Sequence, residues 1–252
     1  MFKASAIEYR FRFLLHAVIY TLGFVAPWDY ALHLDPTGPN AHLWGILAVQ
    51  LSRLGIGNIA TAFNVLLVIG IAAAIVGAWL RTWGSSYLGA NIVQSGTMHT
   101  AEAAPATGML QDGPFRHTRN PLYLGTFLNT LALSLLMPAS GAVFSILMIG
   151  VLQVRLILAE ETFLGAKLGA PYRAYCALVP RVMPSLRPKI AGTGLQPAWP
   201  QAVLGEIYMW GVAGSFAIVG WRYDAGLLIK CVIVSLGVSL VAMAFAPQKA
   251  QS

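Results

Sequence analysis

The stretch "GPFRHTRNPLYLG", Gly113 to Gly125, stands directly before a long apolar run. It holds two prolines, two glycines, an asparagine and two arginines. A plain membrane anchor needs only a flanking positive charge. Proline fixes φ and restricts the residue before it. Gly113-Pro114 and Asn120-Pro121 therefore give this stretch a set backbone shape. It reads as a shaped loop leading into a membrane segment.

From Arg119 to Arg155 no charged residue intervenes. That length is too great for one helix, and "MPASG", Met137 to Gly141, breaks it. The reading is a helical hairpin, residues 121–158, turned at the break. Two ends of an antiparallel hairpin lie side by side. The Gly113–Gly125 stretch and the Glu160-Glu161 pair are thus expected to meet in space.

The whole chain agrees with a bilayer setting. Its 252 residues are 57% hydrophobic and 10% charged, with a mean hydropathy of +0.68. Soluble domains carry roughly 25% charged residues, so this chain is too poor in charge to clothe a globule in water. The fold class expected is all-α, a polytopic membrane bundle of about six transmembrane helices. Spans are placed between Arg12 and Asp29, between Arg53 and Arg81, in the two arms of the hairpin, and at Val203–Trp221 and Ala225–Phe245. The segment His42–Ile56 is expected to lie in the interface. Trp28, Trp44, Trp83 and Trp221 fall near span ends, as aromatic belts do. Glu206 opens the fifth span and is expected at the interface, and Lys230 can snorkel there.

Six spans put the basic segments on one side: Lys3, Arg10 and Arg12; Arg116 and Arg119; Lys167, Arg173, Arg181, Arg187 and Lys189; and Lys249. Asp29 and Asp35 fall on the other. The Lys/Arg bias makes the basic side cytoplasmic. The net charge of +7 suits contact with anionic lipid rather than nucleic acid, for which no soluble basic face is available. No cleavable signal is expected at the N-terminus. Cys176 and Cys231 form no framework, and His16, His33, His42, His99 and His117 lack metal-ligand spacing, so no metal is expected.

The converging residues have a definite chemistry. Arg116, His117, Arg119, Asn120 and Tyr123 come from one side; Arg155, Glu160, Glu161, Tyr172, Arg173, Tyr175 and Arg181 come from the other. Ionisable groups at membrane depth pair or line a site. Carboxylates accept from hydroxyls or amines, and arginines clamp carboxylate or phosphate. The set suits a ligand bearing both charges. No glycine-rich nucleotide loop is present.

"RNPLYLG", then a hydrophobic hairpin, then "EE", then "GAPYRAYCALVPRVMP" resembles the isoprenylcysteine carboxyl methyltransferase and phospholipid methyltransferase family of integral membrane enzymes. The resemblance covers Leu110 to about Pro188. It divides the chain into N-terminal spans and a loop (1–109), a methyltransferase-like core (110–188) and a C-terminal pair of spans (189–252). It implies S-adenosylmethionine as cofactor, in a cytoplasm-facing pocket, and a hydrophobic or lipid-linked acceptor as partner. By resemblance, Leu110 and Phe115 line the adenosine side, Asn120, Pro121 and Tyr123 supply the motif's contacts, and Glu160 or Glu161 binds the cofactor. Arg155 and Arg119 are the candidate catalytic residues, with Arg181 as a further orienting arginine. The family's histidine is Asn120 here. Asparagine hydrogen-bonds but does not titrate near neutral pH, which points to positioning. A base, where one is needed, would come from His99 or His117. Two other readings use the same residues: a membrane reductase holding NADPH through Arg116, Arg173 and Arg181, and a scaffold without activity. The acceptor is left open between a carboxylate, a phospholipid amine and another small hydrophobic molecule.

Overall fold

The computed structural model describes residues 2–25, 41–88 and 110–245. The described residues form helices α1 (Ala6–Arg10), α2 (Arg12–Val25), α3 (Leu43–Arg53), α4 (Ile59–Leu88), α5 (Pro121–Ser134), α6 (Ala139–Leu168), α7 (Ala170–Leu178), α8 (Trp199–Gly205), α9 (Ile207–Val219) and α10 (Ala225–Phe245), and no strand. The all-α architecture matches the composition. Trp28, His33, Asp29, Asp35, His99 and Lys249 lie outside the described residues.

Among the described residues, fewer single helices are of spanning length than the six charge-free runs suggest. Ile59–Leu88, Ala139–Leu168 and Ala225–Ala242 are long and apolar enough to cross a bilayer. The expected fifth span is broken: α8 and α9 meet at a 67° bend, so they count as one span only as a bent pair. α5 has 14 residues. At ~1.5 Å per residue such a helix covers only about 21 Å of a ~30 Å core. A charge-free run measures apolarity, whereas the turn at Leu135–Pro138 decides how much of it stays helical. The interfacial reading of 42–56 fits α3, whose 11 residues are too short to span.

α4 and α5 pack most closely, and small residues explain it. A Cβ at Gly77 would stand 2.7 Å from the Gly125 carbonyl oxygen, and one at Gly125 2.6 Å from that of Gly77. Gly23 of α2 and Gly141 of α6 meet in the same way. In lipid no hydrophobic force draws helices together, so close backbone approach through small residues takes its place. The main core joins α3, α4, α5, α9 and α10 around Leu67, Leu133, Met137, Phe216 and Leu228.

Trp44 belongs to that core rather than to an aromatic belt. It is 2% exposed, stacks edge-on to Phe63 at 5.5 Å, and donates to the Phe63 carbonyl at 3.1 Å. The start of α3 also closes the hairpin turn. Leu43 N–H donates to the Met137 carbonyl at 2.8 Å and Trp44 N–H to that of Leu135 at 2.9 Å. Carbonyls freed at the end of α5 are thereby satisfied, as they must be where water is scarce. Outward, α6 exposes Val143, Leu147, Val151 and Val154 at helical spacing, a stripe suited to lipid.

Candidate functional site

The loop before α5 is held from outside its own sequence. Gly113 has φ +56, and a Cβ there would overlap the Tyr87 ring, so glycine is needed. Residues Gly113–Arg116 make a 3₁₀ turn. Arg119 N–H donates to the Pro180 carbonyl at 2.9 Å, Thr118 Oγ1 to that of Val182 at 2.9 Å, and Lys189 N–H to that of Arg116 at 2.9 Å. Asp112 accepts from Thr193 N–H at 2.7 Å, from Gly194 N–H at 3.2 Å and from the Thr193 hydroxyl. The segment 180–194 is thus a strap across the loop. Pro121 then opens α5 at its first turn, where a missing N–H costs nothing.

α6 continues unbroken past the bilayer-length run and carries both glutamates. Neighbouring positions on a helix face different ways. Glu160, 5% exposed, accepts from the Tyr123 hydroxyl at 3.1 Å. Glu161 turns to the loop: Arg181 Nη2 lies 2.9 Å from it, Arg119 Nε 3.4 Å and Asn120 Nδ2 3.4 Å. Asn120 Nδ2 also donates to the Arg181 carbonyl at 2.9 Å. The hairpin therefore brings Arg119, Asn120 and Tyr123 onto Glu160 and Glu161. The Arg119 contact is an ion pair without hydrogen-bond geometry, and its Nε is buried with no hydrogen-bond partner among the described residues.

α7 seals the loop from the other side. The Tyr175 hydroxyl donates to the Phe115 carbonyl at 2.8 Å. Burial pushes the Tyr172 and Tyr175 hydroxyls well above the usual phenol range, so both remain protonated donors at neutral pH. Leu88, Leu110, Phe115 and Leu122 form an apolar cluster beside them.

These residues border a cavity of about 560 Å³, within the ~300–1,000 Å³ of small-molecule sites. All of Leu110, Phe115, Arg119, Asn120, Pro121, Tyr123, Glu160 and Glu161 line it. Arg155, Arg181 and His117 do not. Arg155 instead pairs with Glu8 at 2.8 Å and lies 5.9 Å from the Phe2 ring. The nearby Arg155 guanidinium, with the Ser5 N–H, holds the Glu8 carboxyl down at about 2. His117 Nδ1 is 2.7 Å from the Ser185 carbonyl, part of the strap.

The cavity runs on into the helices, where sequence reasoning placed no site. Arg12, His16, Arg81, Asn129, Glu206 and Tyr208 line that end. Glu206 is enclosed by the helices rather than exposed at their surface. It is 3% exposed and takes Arg81 Nε at 2.7 Å, Arg81 Nη2 at 2.9 Å and Ser85 Oγ at 2.8 Å. It sits at the break between α8 and α9, where an anion also meets the positive end of α9. Arg12 and Arg81 had marked span boundaries. The available signal was their place inside or beside apolar helix, where an ionisable group is costly unless it is used. Among the described residues no cluster of histidine, cysteine and carboxylate fits a metal.

Residues 65–170 match the phospholipid methyltransferase family model. The match agrees with the resemblance carried by "RNPLYLG" and "EE", and extends it back into α4, past Arg81. No curated protein and no solved structure matches the chain significantly. With its long apolar helices, the chain is a membrane protein whose residues 65–170 are similar to that family.

Proposed function

We propose that the chain, on the premise of that phospholipid methyltransferase-family similarity, is an S-adenosylmethionine-dependent methyltransferase acting on a lipid-soluble acceptor. One observation carries the reading. A single cavity joins a polar loop end, where Arg119, Asn120, Glu160 and Glu161 converge, to helix faces that look toward lipid. Two ligands of opposite solubility can reach one space from two media.

The residues suit this cofactor. Its methionyl part has a carboxylate, and the buried, unsatisfied Nε of Arg119 calls for an acceptor. Its sulfonium and amino charges suit Glu160 and Glu161. Its flat base suits the apolar slot of Leu88, Leu110, Phe115 and Leu122. Asn120, tied to the Arg181 carbonyl, positions the loop against Glu161 and does not titrate. When bound, the cofactor supplies an electrophilic methyl group. The chain contributes orientation and exclusion of water. The strap 180–194 and α7 hold the loop end rigid; α2, α5 and α6 hold the acceptor end. The basic loop end faces the cytoplasm, on the Lys/Arg bias.

Calorimetry on detergent-purified protein tests this, with S-adenosylmethionine against NADPH. Saturable binding of S-adenosylmethionine, weakened about tenfold or more by Glu161→Gln, is expected, since a charge-assisted hydrogen bond contributes about 1.5–3 kcal/mol. Binding of NADPH alone, or wild-type affinity in the variant, overturns it.

A further inference from the structure

The helix-embedded end of the cavity holds a set of polar groups that the cofactor reading leaves unused. Asn129 is 1% exposed, and its Oδ1 has no hydrogen-bond partner among the described residues. Ser239 of α10 is 0% exposed, and its Oγ is likewise unpartnered. Both line the cavity. His16 lines it too; its Nδ1 lies 2.6 Å from the Arg12 carbonyl oxygen. A nitrogen that close to a carbonyl donates, so Nδ1 carries a proton, and in the neutral ring Nε2 keeps its lone pair. A buried polar group without a partner costs about 1–3 kcal/mol, and the two at Asn129 and Ser239, facing one cavity, are accounted for by a ligand that pairs with them.

The charges at this end are already matched. Arg81 spends Nε and Nη2 on the two oxygens of Glu206 and donates Nη1 to Thr126 at 2.7 Å. Arg12 donates Nη1 to the Tyr9 carbonyl at 3.2 Å and lies 4.8 Å from the Tyr9 ring and 4.5 Å from the Phe13 ring. With Glu206 taken by Arg81 and Glu160 assigned to the cofactor, an ammonium finds no spare carboxylate, and a carboxylate must displace the contacts of Arg12; either loses its hydration for little return. Tyr20 is satisfied by Thr130 at 2.6 Å and reads nothing.

The wall between α2 and α10 is apolar and opens outward. Phe13, Leu236 and Leu240 line the cavity while remaining 50%, 45% and 60% exposed. These helices pack mainly on other partners, α2 on α6 and α10 on α9. A hydrocarbon tail fits between them.

We infer that this end is an acceptor subsite for an uncharged hydroxyl head, an alcohol or phenol on a hydrocarbon tail, read by His16, Asn129 and Ser239. The inference rests on the reading of the cavity as a methyl-transfer site and names its acceptor class. A hydroxyl both donates and accepts. It can donate to His16 Nε2 and accept from Ser239 Oγ, and it satisfies the Asn129 amide whichever way that amide is turned. His16 and Asn129 are then acceptor-positioning groups, and Ser239 closes the set from the opposite helix.

The test is competition for a photoactivatable long-chain phenol on the purified full chain in detergent, with the labelled peptides mapped. Labelling on α2 and α10 that 1-dodecanol displaces, and dodecanoate and dodecylamine do not, is expected. Ser239→Ala should weaken it about tenfold, the loss of one hydrogen bond. Asn129→Leu should do the same, and the wild-type competition stands without either variant. Equal or better displacement by the acid or the amine overturns the inference, as does labelling scattered over the lipid faces and indifferent to all three. S-adenosylmethionine binding is measured on the same samples. Its loss with alcohol selectivity retained sinks the methyltransferase reading and spares the subsite; the converse sinks the subsite alone.

Discussion

Arg81 reaches Glu206 across 125 residues of chain and binds it through both carboxylate oxygens, at 2.7 and 2.9 Å. The pair fastens α4 to the break between α8 and α9. Both charges are largely withdrawn from solvent, with side chains 17% and 3% exposed. Removing one partner strands the other. Glu206→Gln should therefore lower stability by roughly 3–5 kcal/mol, whereas Arg81→Met with Glu206→Leu should recover most of that loss. Chemical unfolding in detergent micelles measures both. A single variant as stable as wild type would show that the pair does not hold the bend.

The α4–α5 crossing depends on the absence of a side chain. Gly125→Ala sets a methyl against the Gly77 carbonyl and within 2.7 Å of Arg81 Cγ. The helices must part, at a cost of roughly 1–3 kcal/mol, and Arg81 must move with them. Gly150 provides the contrast, because a Cβ there only touches Phe127 at 3.5 Å. Gly150→Ala should leave the thermal unfolding midpoint unchanged or slightly raised, the helix gaining up to about 1 kcal/mol of propensity.

Glu8 should govern how the N-terminal segment docks on α6. Its carboxyl accepts from Arg155 at 2.8 and 2.9 Å, and Ala4 N–H donates to the Arg155 carbonyl at 2.9 Å. Its folded pKa is lowered from 4.5 to about 2. A lowered carboxyl pKa stabilises above the unfolded value and loses that contribution as pH falls through the folded one. Docking should be fully present above about pH 4.5 and fade toward pH 2. Hydrogen exchange of the Ala4 amide reads it out. Glu8→Gln should lower that protection already at neutral pH, by a small factor because the pair is partly solvated. S-adenosylmethionine affinity should stay at the wild-type value, since Arg155 does not line the cavity.

Tyr175 should matter to the loop through one atom. Its protonated hydroxyl satisfies the Phe115 carbonyl. Tyr175→Phe leaves a buried acceptor unpaired at a cost of about 1–3 kcal/mol. If the loop binds cofactor, calorimetric affinity should fall by about five- to a hundredfold, while exchange of amides in the α4–α5 crossing stays as in wild type. Equal affinity in wild type and variant would separate the loop's shape from binding.

The bilayer as solvent, the hairpin, and the meeting of its two ends were legible in the chain itself. A 10% charged composition allows no other solvent. Met137-Pro138 in "MPASG" breaks the run, and antiparallel arms return Glu160 and Glu161 to the loop they left. Local chemistry settles such things, because proline, glycine and charge act within a few residues of themselves. What tertiary structure decided is which partners the charged groups took. Arg155 lies within α6 and Arg119 in the loop before α5, and one docks the N-terminal segment on Glu8 while the other lines the cavity. Glu206 reads as an interfacial residue until Arg81, far off in sequence, is seen to bind it in the interior. Trp44 reads as a belt residue until α4 covers it. His16, Asn129 and Ser239 share no motif; three helices carry them to one cavity. A long-range ion pair or a shared cavity wall leaves no periodic trace, because its energy depends on where distant helices cross, and those crossings are set by glycines whose neighbours exist only in the folded chain.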